Sequence, residues 1–382
     1  METSLIGPEN AQGFPAPYWF LVLFKVLGMV LHMVPMHLWF AGLIVMLLLR
    51  RRGGEHAARL SDRTLNVLPV IVACGVNLGI VPLLFTQVAY YQAFYPAGVL
   101  MAWPWLSVIL LLTVAYYGVY FYAFGLRDGR LTPARRTGGW AAAVLFLVMG
   151  FLFTNYFSLM SNVGAWRGLW AATSVGGAPT GTALNTGDPT LWPRWLLMFG
   201  LALQTTAVWA LFDGGVFAGR ESAAYRRWAA GWAGRLHAAG LVWFAAAGSW
   251  YVFGTLAPAV RERLLAGPQI ALTALTAAGP GLIWLLLLLG ARRAASAPDG
   301  GAGRGFAIVV FTAHFLVLGL NAVSRQFVQN WELRPHLDAT AGKVVMQWSP
   351  LILFLLLFVA GVGLVIWMLR QAVRAAGKPA AG

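Results

Sequence analysis

Six ionisable side chains lie inside long apolar stretches of this chain, where a charge is costly and therefore suggests function. Four of the six are histidines, and neutral imidazole is a common ligand of haem iron. A haem between helices needs one or two such ligands facing the bundle interior. The pattern predicts a non-covalent haem site, with haem b as the expected cofactor. The six residues are Lys25, His32, His37, Asp213, His237 and His314.

The depth of each histidine follows from a helical rise of about 1.5 Å per residue. His32 and His314 fall near the middle of the first and eighth apolar segments, at similar depths. His37 lies nearer the cytoplasm, and His237 nearer still. Five residues separate His32 from His37, which places them about 140° apart around a helix, so they are not expected to bind one metal. We therefore expect His32 and His314 to be the first iron ligands, with His37 and His237 as further ones; alternatively, each histidine hydrogen-bonds to a neighbouring helix.

Other polar residues allow two interpretations each. Lys25 is expected to extend to the outer surface, and Asp213 to be solvated at the cytoplasmic end of its segment. Arg325, Trp331 and Arg334 close the eighth segment at the outer face. These three residues could contact a quinone head group or a partner protein, or they could form a solvated helix end.

The elements that carry these residues are predicted to be membrane helices. Hydrophobic residues make up 59% and charged residues 10% of the chain, and the apolar runs are long enough to cross a bilayer. Backbone hydrogen bonds inside lipid then require helices. The fold class is an all-α polytopic bundle, with residues 1–382 as a single transmembrane domain. Its nine segments are 18–49, 65–92, 98–125, 138–162, 191–217, 228–257, 268–291, 305–328 and 347–370.

Charge sets the expected orientation. The net charge of +15 comes from short clusters between apolar runs, which argues against a nucleic-acid partner. Of the 27 Lys and Arg residues, 19 fall on one side, if the tail with Lys378 is included. The positive-inside rule puts that side in the cytoplasm and the N-terminus outside. We expect a multi-pass protein of the bacterial inner membrane, in contact with the lipid bilayer.

Several kinds of chemistry lack a motif in the sequence. Cys74 is the single cysteine, so neither an intrachain disulfide nor covalent haem attachment through CxxCH is expected. The sequence also shows no phosphate-binding glycine loop, paired zinc ligands or hydrolase triad. Hydrolytic and nucleotide-driven functions are therefore unsupported.

The first half of the chain resembles subunit I of the cytochrome bd quinol oxidases. The resemblance is carried by LHMVPMHLWFAGL at 31–43, by GVNLGIVPLLFTQVAYYQAFYPAGVLMAWPWLSVILLL, and by NYFSLMSNVGAW at 155–166. It covers about 18–217 and is weaker over 228–370. A histidine of that family's first helix ligates a haem of the oxygen site, and His32 is the matching position. Nine helices with an outer N-terminus also agree with the family.

The sequence also departs from that family. Segment 98–125 has no acid where the family has glutamates, and RWLLMFGLALQ at 194–204 lacks the family's second haem-ligating histidine. Met198 is the one nearby residue of a ligand type. The connection 258–267 is too short for the family's outer quinol-binding loop. The chain is thus more similar to bd-like membrane subunits that accompany multihaem c-type cytochromes.

The leading hypothesis is a membrane subunit of a bacterial respiratory electron-transfer complex. Haem b would be bound through His32, menaquinone or ubiquinone would be the quinone, and the chain would belong to a quinol-oxidising oxidoreductase complex without being a complete oxygen reductase. Expected partners are a multihaem c-type cytochrome or an iron–sulfur protein. The alternatives are a haem-free structural anchor for such a complex and a small-molecule transporter, the latter suggested by kinked helices.

Overall fold

The computed structural model describes residues 6–377, apart from the side chains at 369 and 372–377, so Lys378 lies outside it. Within that part of the chain, nine helices are long and apolar enough to cross a membrane. This confirms the predicted all-α membrane bundle. The helices are α1 Tyr18–Arg52, α2 Glu55–Ala89, α3 Ala102–Arg127, α4 Pro133–Ser161, α5 Leu191–Phe217, α6 Ala223–Thr255, α7 Gln269–Ser296, α8 Arg304–Leu333 and α9 Trp348–Gly377.

Helix ends differ from the apolar segments because polar turns extend several helices into water. The largest difference is at α2, which begins at Glu55 and not near 65. Its first turns carry Arg59, Asp62 and Arg63, which pair with charges on neighbouring elements. A hydropathy pattern does not predict such helical turns, because ion pairs stabilise them and burial in lipid does not.

Three of the membrane helices contain a π-helical turn, a feature often found at functional sites. These turns are Leu38–Gly42 in α1, Asp213–Phe217 in α5 and Trp250–Thr255 in α6. The first follows His37 directly. Shorter helices lie in the outer connections at Tyr91–Leu100, Trp166–Thr173 and Pro258–Leu264, and the strands Ser174–Val175 and Ala178–Pro179 form a small hairpin.

Helix α5 occupies the centre of the bundle, and 61% of its most apolar stretch is buried. It packs against α6 and also contacts α1, α4 and α8. Helix α1 packs on α2, and α3 packs on α4. Helix α9 is peripheral, because none of its apolar stretch is buried and its outer half is held by Phe354 and Phe358 against Phe24 and Phe85.

The cytoplasmic end of the bundle is joined by a buried ion pair. Arg63 of α2 forms a two-pronged pair with Asp213 of α5, at 2.7 and 2.8 Å, and Arg63 also binds Glu221 at 2.9 Å. Tyr225 of α6 donates a hydrogen bond to Asp213 at 3.3 Å. The expectation that Asp213 is solvated is therefore wrong, because its carboxylate is bound by the Arg63 guanidinium and not by water.

Candidate functional site

Two of the predicted histidines share one hydroxyl group at the centre of the bundle. The Thr205 Oγ1 of α5 lies 2.8 Å from His37 Nδ1 of α1 and 2.8 Å from His314 Nε2 of α8. The His237 ring of α6 lies beside His314, with ring centroids 6.4 Å apart. Four helices thus bring three imidazoles together. We call His37, Thr205, His237 and His314 the imidazole cluster.

The imidazole cluster is tightly packed and only partly hydrogen-bonded. His37 and His237 are 0% exposed and His314 is 1% exposed. Among the described residues, His37 Nε2, His314 Nδ1 and both nitrogens of His237 have no hydrogen-bond partner. Because described side chains fill the space around these rings, a porphyrin does not fit beside them in this packing. Their predicted role as haem ligands stays a prediction.

His32 lies apart from the imidazole cluster and is oriented differently. Its Nδ1 lies 2.8 Å from the carbonyl oxygen of Gly75 on α2. A carbonyl can only accept, so Nδ1 carries the proton and Nε2 keeps its lone pair. The ring lies against Gly79, where an added Cβ would approach ring atoms to 2.8 Å. A hydrogen bond of this kind, from the nitrogen that does not face the metal, orients many histidines that ligate metals. Among the described residues, none forms a hydrogen bond with both His32 and His314.

A group of charged and polar side chains lies on the outer side of His32. Lys25, Arg194 and Tyr251 are half-buried, as is His32, and Arg325 is exposed. Arg325 lies close enough for its charge to influence Lys25, and Arg194 and Tyr251 in turn influence Arg325. These side chains therefore lie near one another between α1, α5, α6 and α8, and we call the region that they border the internal pocket.

Lys25 does not reach the outer surface, contrary to the sequence-based expectation. Its Nζ donates hydrogen bonds to Gln326 Oε1 at 2.7 Å and Gln329 Oε1 at 2.8 Å, both on α8, and lies 4.6 Å from the centre of the Tyr90 ring. The two amides and the ring stabilise the ammonium inside the bundle. The Lys25 side chain therefore does not extend to the outer surface by snorkelling.

Positive charge exceeds negative charge in the internal pocket. Arg194 forms an ion pair with Glu332, and the negative charge of the more distant Asp188 also favours the charged form of Arg194. Within the described residues, neither Lys25 nor Arg325 has a carboxylate partner, and Arg325 has no hydrogen bond. Unpaired cations inside a membrane domain are unfavourable. The pocket therefore suits an anionic group.

Three further predicted residues lie at different places and do not form one site. Met198 of α5 is partly accessible and packs beside the core cluster that contains Met33 of α1. Trp331 packs beside Leu256 and Phe327 on the outer side of α8. Arg334 is exposed at the outer face. Since nine residues separate Arg325 from Arg334, the two arginines point to opposite sides of α8. The predicted quinone or partner contact stays a prediction.

Sequence reasoning missed Thr205, Arg194 and Glu332. Threonine is common in membrane helices, where it hydrogen-bonds to the preceding turn, so Thr205 carries no signal by itself. Arg194 and Glu332 lie near helix ends and are indistinguishable in sequence from solvated charges. A pairing between residues 138 positions apart cannot be read from local spacing.

The arrangement of helices is similar to that of a solved structure. A solved structure of a bd oxidase from Geobacillus thermodenitrificans matches the chain with a TM-score of 0.70 and 12% sequence identity, covering 95% of this chain and 99% of that chain. The chain has the bd-oxidase fold. This confirms the resemblance drawn from 18–217 and extends the likeness of fold over most of the chain. No protein-family model matches the sequence, and no curated protein does.

Proposed function

We propose that the chain is the membrane subunit of a bacterial respiratory electron-transfer complex and binds haem b in the internal pocket. The observation that carries this proposal is the orientation of His32. Its Nδ1–H donates to the Gly75 carbonyl at 2.8 Å, so Nε2 keeps its lone pair and would be the atom that holds the haem iron. The bd-oxidase fold supports the same assignment.

The charges of the internal pocket fit the same ligand. Lys25 lies seven residues before His32, about 10 Å toward the outer face along α1. Lys25 and Arg325 lack carboxylate partners among the described residues and would face the two negatively charged propionates of haem b. Arg194, already paired with Glu332, would contribute less. When bound, the haem would supply a one-electron carrier at this depth of the membrane.

The proposed electron donor is menaquinol or ubiquinol. The proposed partner, at the outer face, is a multihaem c-type cytochrome or an iron–sulfur protein. The structural elements that lie there are the helix Trp166–Thr173, the hairpin that follows it, and the exposed Arg334 at the end of α8. In this scheme the chain conducts electrons between quinol and the partner and is not a complete oxygen reductase, since α3 has no acidic residue in 102–126.

The cofactor proposal is tested by a pyridine haemochrome assay on the purified full chain. We expect about one non-covalent haem b in the natural protein and a loss of most of it in His32→Ala, with helix content by circular dichroism unchanged. His336→Ala is the matched control, because His336 is exposed at the outer face. A colourless natural protein, or full haem content in His32→Ala, would contradict the proposal.

A second candidate function is a haem-free anchor for a partner complex. The observation that favours it is the dense packing of His37, His237 and His314, which leaves no room for a cofactor beside three of the four central histidines. An anchor should support assembly and electron flux equally well with His32→Ala as with the natural residue. Measuring quinol-dependent electron flux in membranes that contain each variant distinguishes the two functions.

A further inference from the structure

A pocket at the cytoplasmic end of the bundle is lined by three arginines and is separate from the candidate functional site. Its volume is about 440 Å³, and it lies between the ends of α1, α3 and α4 and the turn that joins α3 to α4. Arg50 comes from α1, Arg130 from the turn and Arg136 from the first turn of α4, while Leu126 and Leu131 form an apolar wall. We call this space the arginine pocket.

The turn beside the pocket is held by hydrogen bonds. Gly129 has a φ of 64°, a backbone conformation that favours glycine. The Thr132 Oγ1 accepts from the backbone N–H of Arg135 at 3.3 Å and begins α4. The Arg135 guanidinium donates to the Arg130 carbonyl oxygen at 3.1 Å and pairs with Asp128 at 3.0 Å. The backbone around the pocket is therefore fixed, and the Asp128 carboxylate is already occupied.

Positive charge exceeds negative charge in the arginine pocket. No acidic side chain is among the described residues that line it. Arg50 pairs with Asp62 at 2.6 Å. The side chains of Arg130 and Arg136 are exposed, and within residues 6–377 neither forms an ion pair or a hydrogen bond. Two guanidinium groups at this pocket therefore remain available to an anion.

The chemistry of the pocket favours a phosphate group. A guanidinium offers a planar pair of N–H donors that matches two phosphate oxygens. Arg130 and Arg136 approach the pocket from different elements, so they can bind different oxygens of one group. The first turn of α4 also lies at the pocket, and the positive end of its helix dipole favours an anion there.

The depth of the pocket points to a lipid. Arg50 directly follows the apolar run 43–49 of α1, and α3 ends at Arg127, so the pocket lies where these two helices leave the hydrocarbon layer. In the last apolar turns, Leu48 is 39% and Phe124 is 47% exposed, at the depth of lipid chains. Basic pockets between membrane helices at this level can bind anionic head groups.

We propose that the arginine pocket binds the phosphate group of an anionic phospholipid in the cytoplasmic leaflet. The phosphate lies between Arg130 and Arg136 and also interacts with Arg50, and the acyl chains extend along the bundle toward the membrane centre. No covalent bond forms or breaks. The bound lipid links the cytoplasmic ends of α1, α3 and α4. This binding needs no cofactor and is independent of the proposed haem site.

The test compares melting temperatures of the purified full chain in detergent with phosphatidylglycerol, phosphatidylcholine or inorganic phosphate added. A ligand that binds only the folded state raises the melting temperature. We expect phosphatidylglycerol to raise it with a saturating dependence on concentration, and the other two additives to have little effect. The double variant Arg130→Gln/Arg136→Gln should lower this shift to about half or less of its natural size.

The matched control is the double variant Arg51→Gln/Arg52→Gln. It removes the same charge from exposed positions at the same end of the bundle, outside the pocket lining, and should keep the natural shift. An equal loss in both double variants would show a general attraction between charges and overturn the proposal. Equal shifts with phosphatidylglycerol and phosphatidylcholine would overturn it as well. So would an equal shift with inorganic phosphate, because the pocket would then bind the free ion.

A measurement on the natural protein does not depend on whether the variants fold. Native mass spectrometry from micelles that contain equal amounts of the two lipids should show phosphatidylglycerol bound in preference to phosphatidylcholine. Absence of bound lipid, or equal binding of both lipids, would contradict the proposal. Because neither experiment requires haem, the lipid proposal can fail while the haem proposal stands, and the reverse.

Discussion

Gly79 is the residue on which the position of the His32 ring depends most directly. A Cβ at this position would lie 2.8 Å from two ring atoms of His32, closer than carbon atoms approach in a packed interior. We therefore expect Gly79→Ala to push the ring from its bond with Gly75 and to lower haem content at least two-fold. Absorbance of the purified protein in the visible range measures this.

A matched glycine distinguishes this effect from a general change in helix stability. Gly281 lies within membrane helix α7, and an added Cβ would meet no described atom within 4 Å. Gly281→Ala should leave haem content unchanged and stabilise the helix by about 0.5–1 kcal/mol. Equal haem loss in both variants would argue against the steric explanation.

At the scale of residues, the sequence predicted which types of side chain belong to the candidate site. It did not predict which residues they would hydrogen-bond to. The expectation that His32 and His37 face different directions agrees with the structure, because one bonds to Gly75 and the other to Thr205. The association of His37 with His314 is not predictable, because depth along a helix says nothing about rotation around it. The expectation for Lys25 is wrong because its amide partners lie 301 and 304 residues away.

Helices α2 and α5 are connected at the cytoplasmic end by the Arg63–Asp213 pair. The side chains are 20% and 6% exposed, and Asp213→Asn leaves Arg63 with Glu221 as its remaining carboxylate partner. We expect Asp213→Asn to lower the free energy of unfolding by about 1.5–3 kcal/mol, the range for a lost hydrogen bond to a charged group, measured by thermal unfolding in detergent. Asp128→Asn is the control, because Asp128 pairs with Arg135 but is 53% exposed; its effect should stay within about 0.5 kcal/mol.

The turn between α5 and α6 should make stability depend on acid pH. Hydrogen bonds from Arg59 lower the pKa of Glu221, and the Arg63 charge adds to this effect. A carboxyl whose pKa is lower in the folded state stabilises the protein above its unfolded pKa of about 4.3, and this stabilisation is lost as pH falls through the folded pKa. At neutral pH, Glu221→Gln should therefore be less stable than the natural protein by about 1 kcal/mol.

This difference should shrink as the pH falls below the unfolded pKa, because the natural Glu221 then becomes neutral as well. Melting temperatures of both proteins, recorded over a series of acidic buffers, provide the comparison. A difference that stays constant with pH would show that the ion pairs of Glu221 contribute nothing to stability.

At the scale of elements, the nine membrane helices of the described chain were predictable, since a bilayer requires long apolar runs. Their ends were less predictable. Glu55–Arg63 forms helix because of ion pairs, and α8 continues to Leu333 because Gln326, Gln329 and Glu332 have partners inside the bundle. The three π-helical turns of that part of the chain also had no sequence signal.

For the molecule as a whole, the distribution of arginines predicts one orientation. Arg50–Arg52, Arg127–Arg136 and Arg220–Arg227 lie at one end of the bundle, and Arg334 and Lys343 at the other. By the positive-inside rule, a fluorescent protein fused after residue 382 should be fluorescent, and alkaline phosphatase at that site should be inactive. Active phosphatase would reverse the orientation and place the internal pocket nearer the cytoplasm.

The loose attachment of α9 allows the molecule to be shortened. Phe354 and Phe358 supply the aromatic contacts of α9 with α1 and α2, and neither the imidazole cluster nor the internal pocket uses a residue after Glu332. A protein ending at 347 would thus retain eight spanning helices and the whole candidate site. Both of its chain ends would then lie on the outer side, where a tag or a fused electron donor could be attached close to the redox centre proposed here.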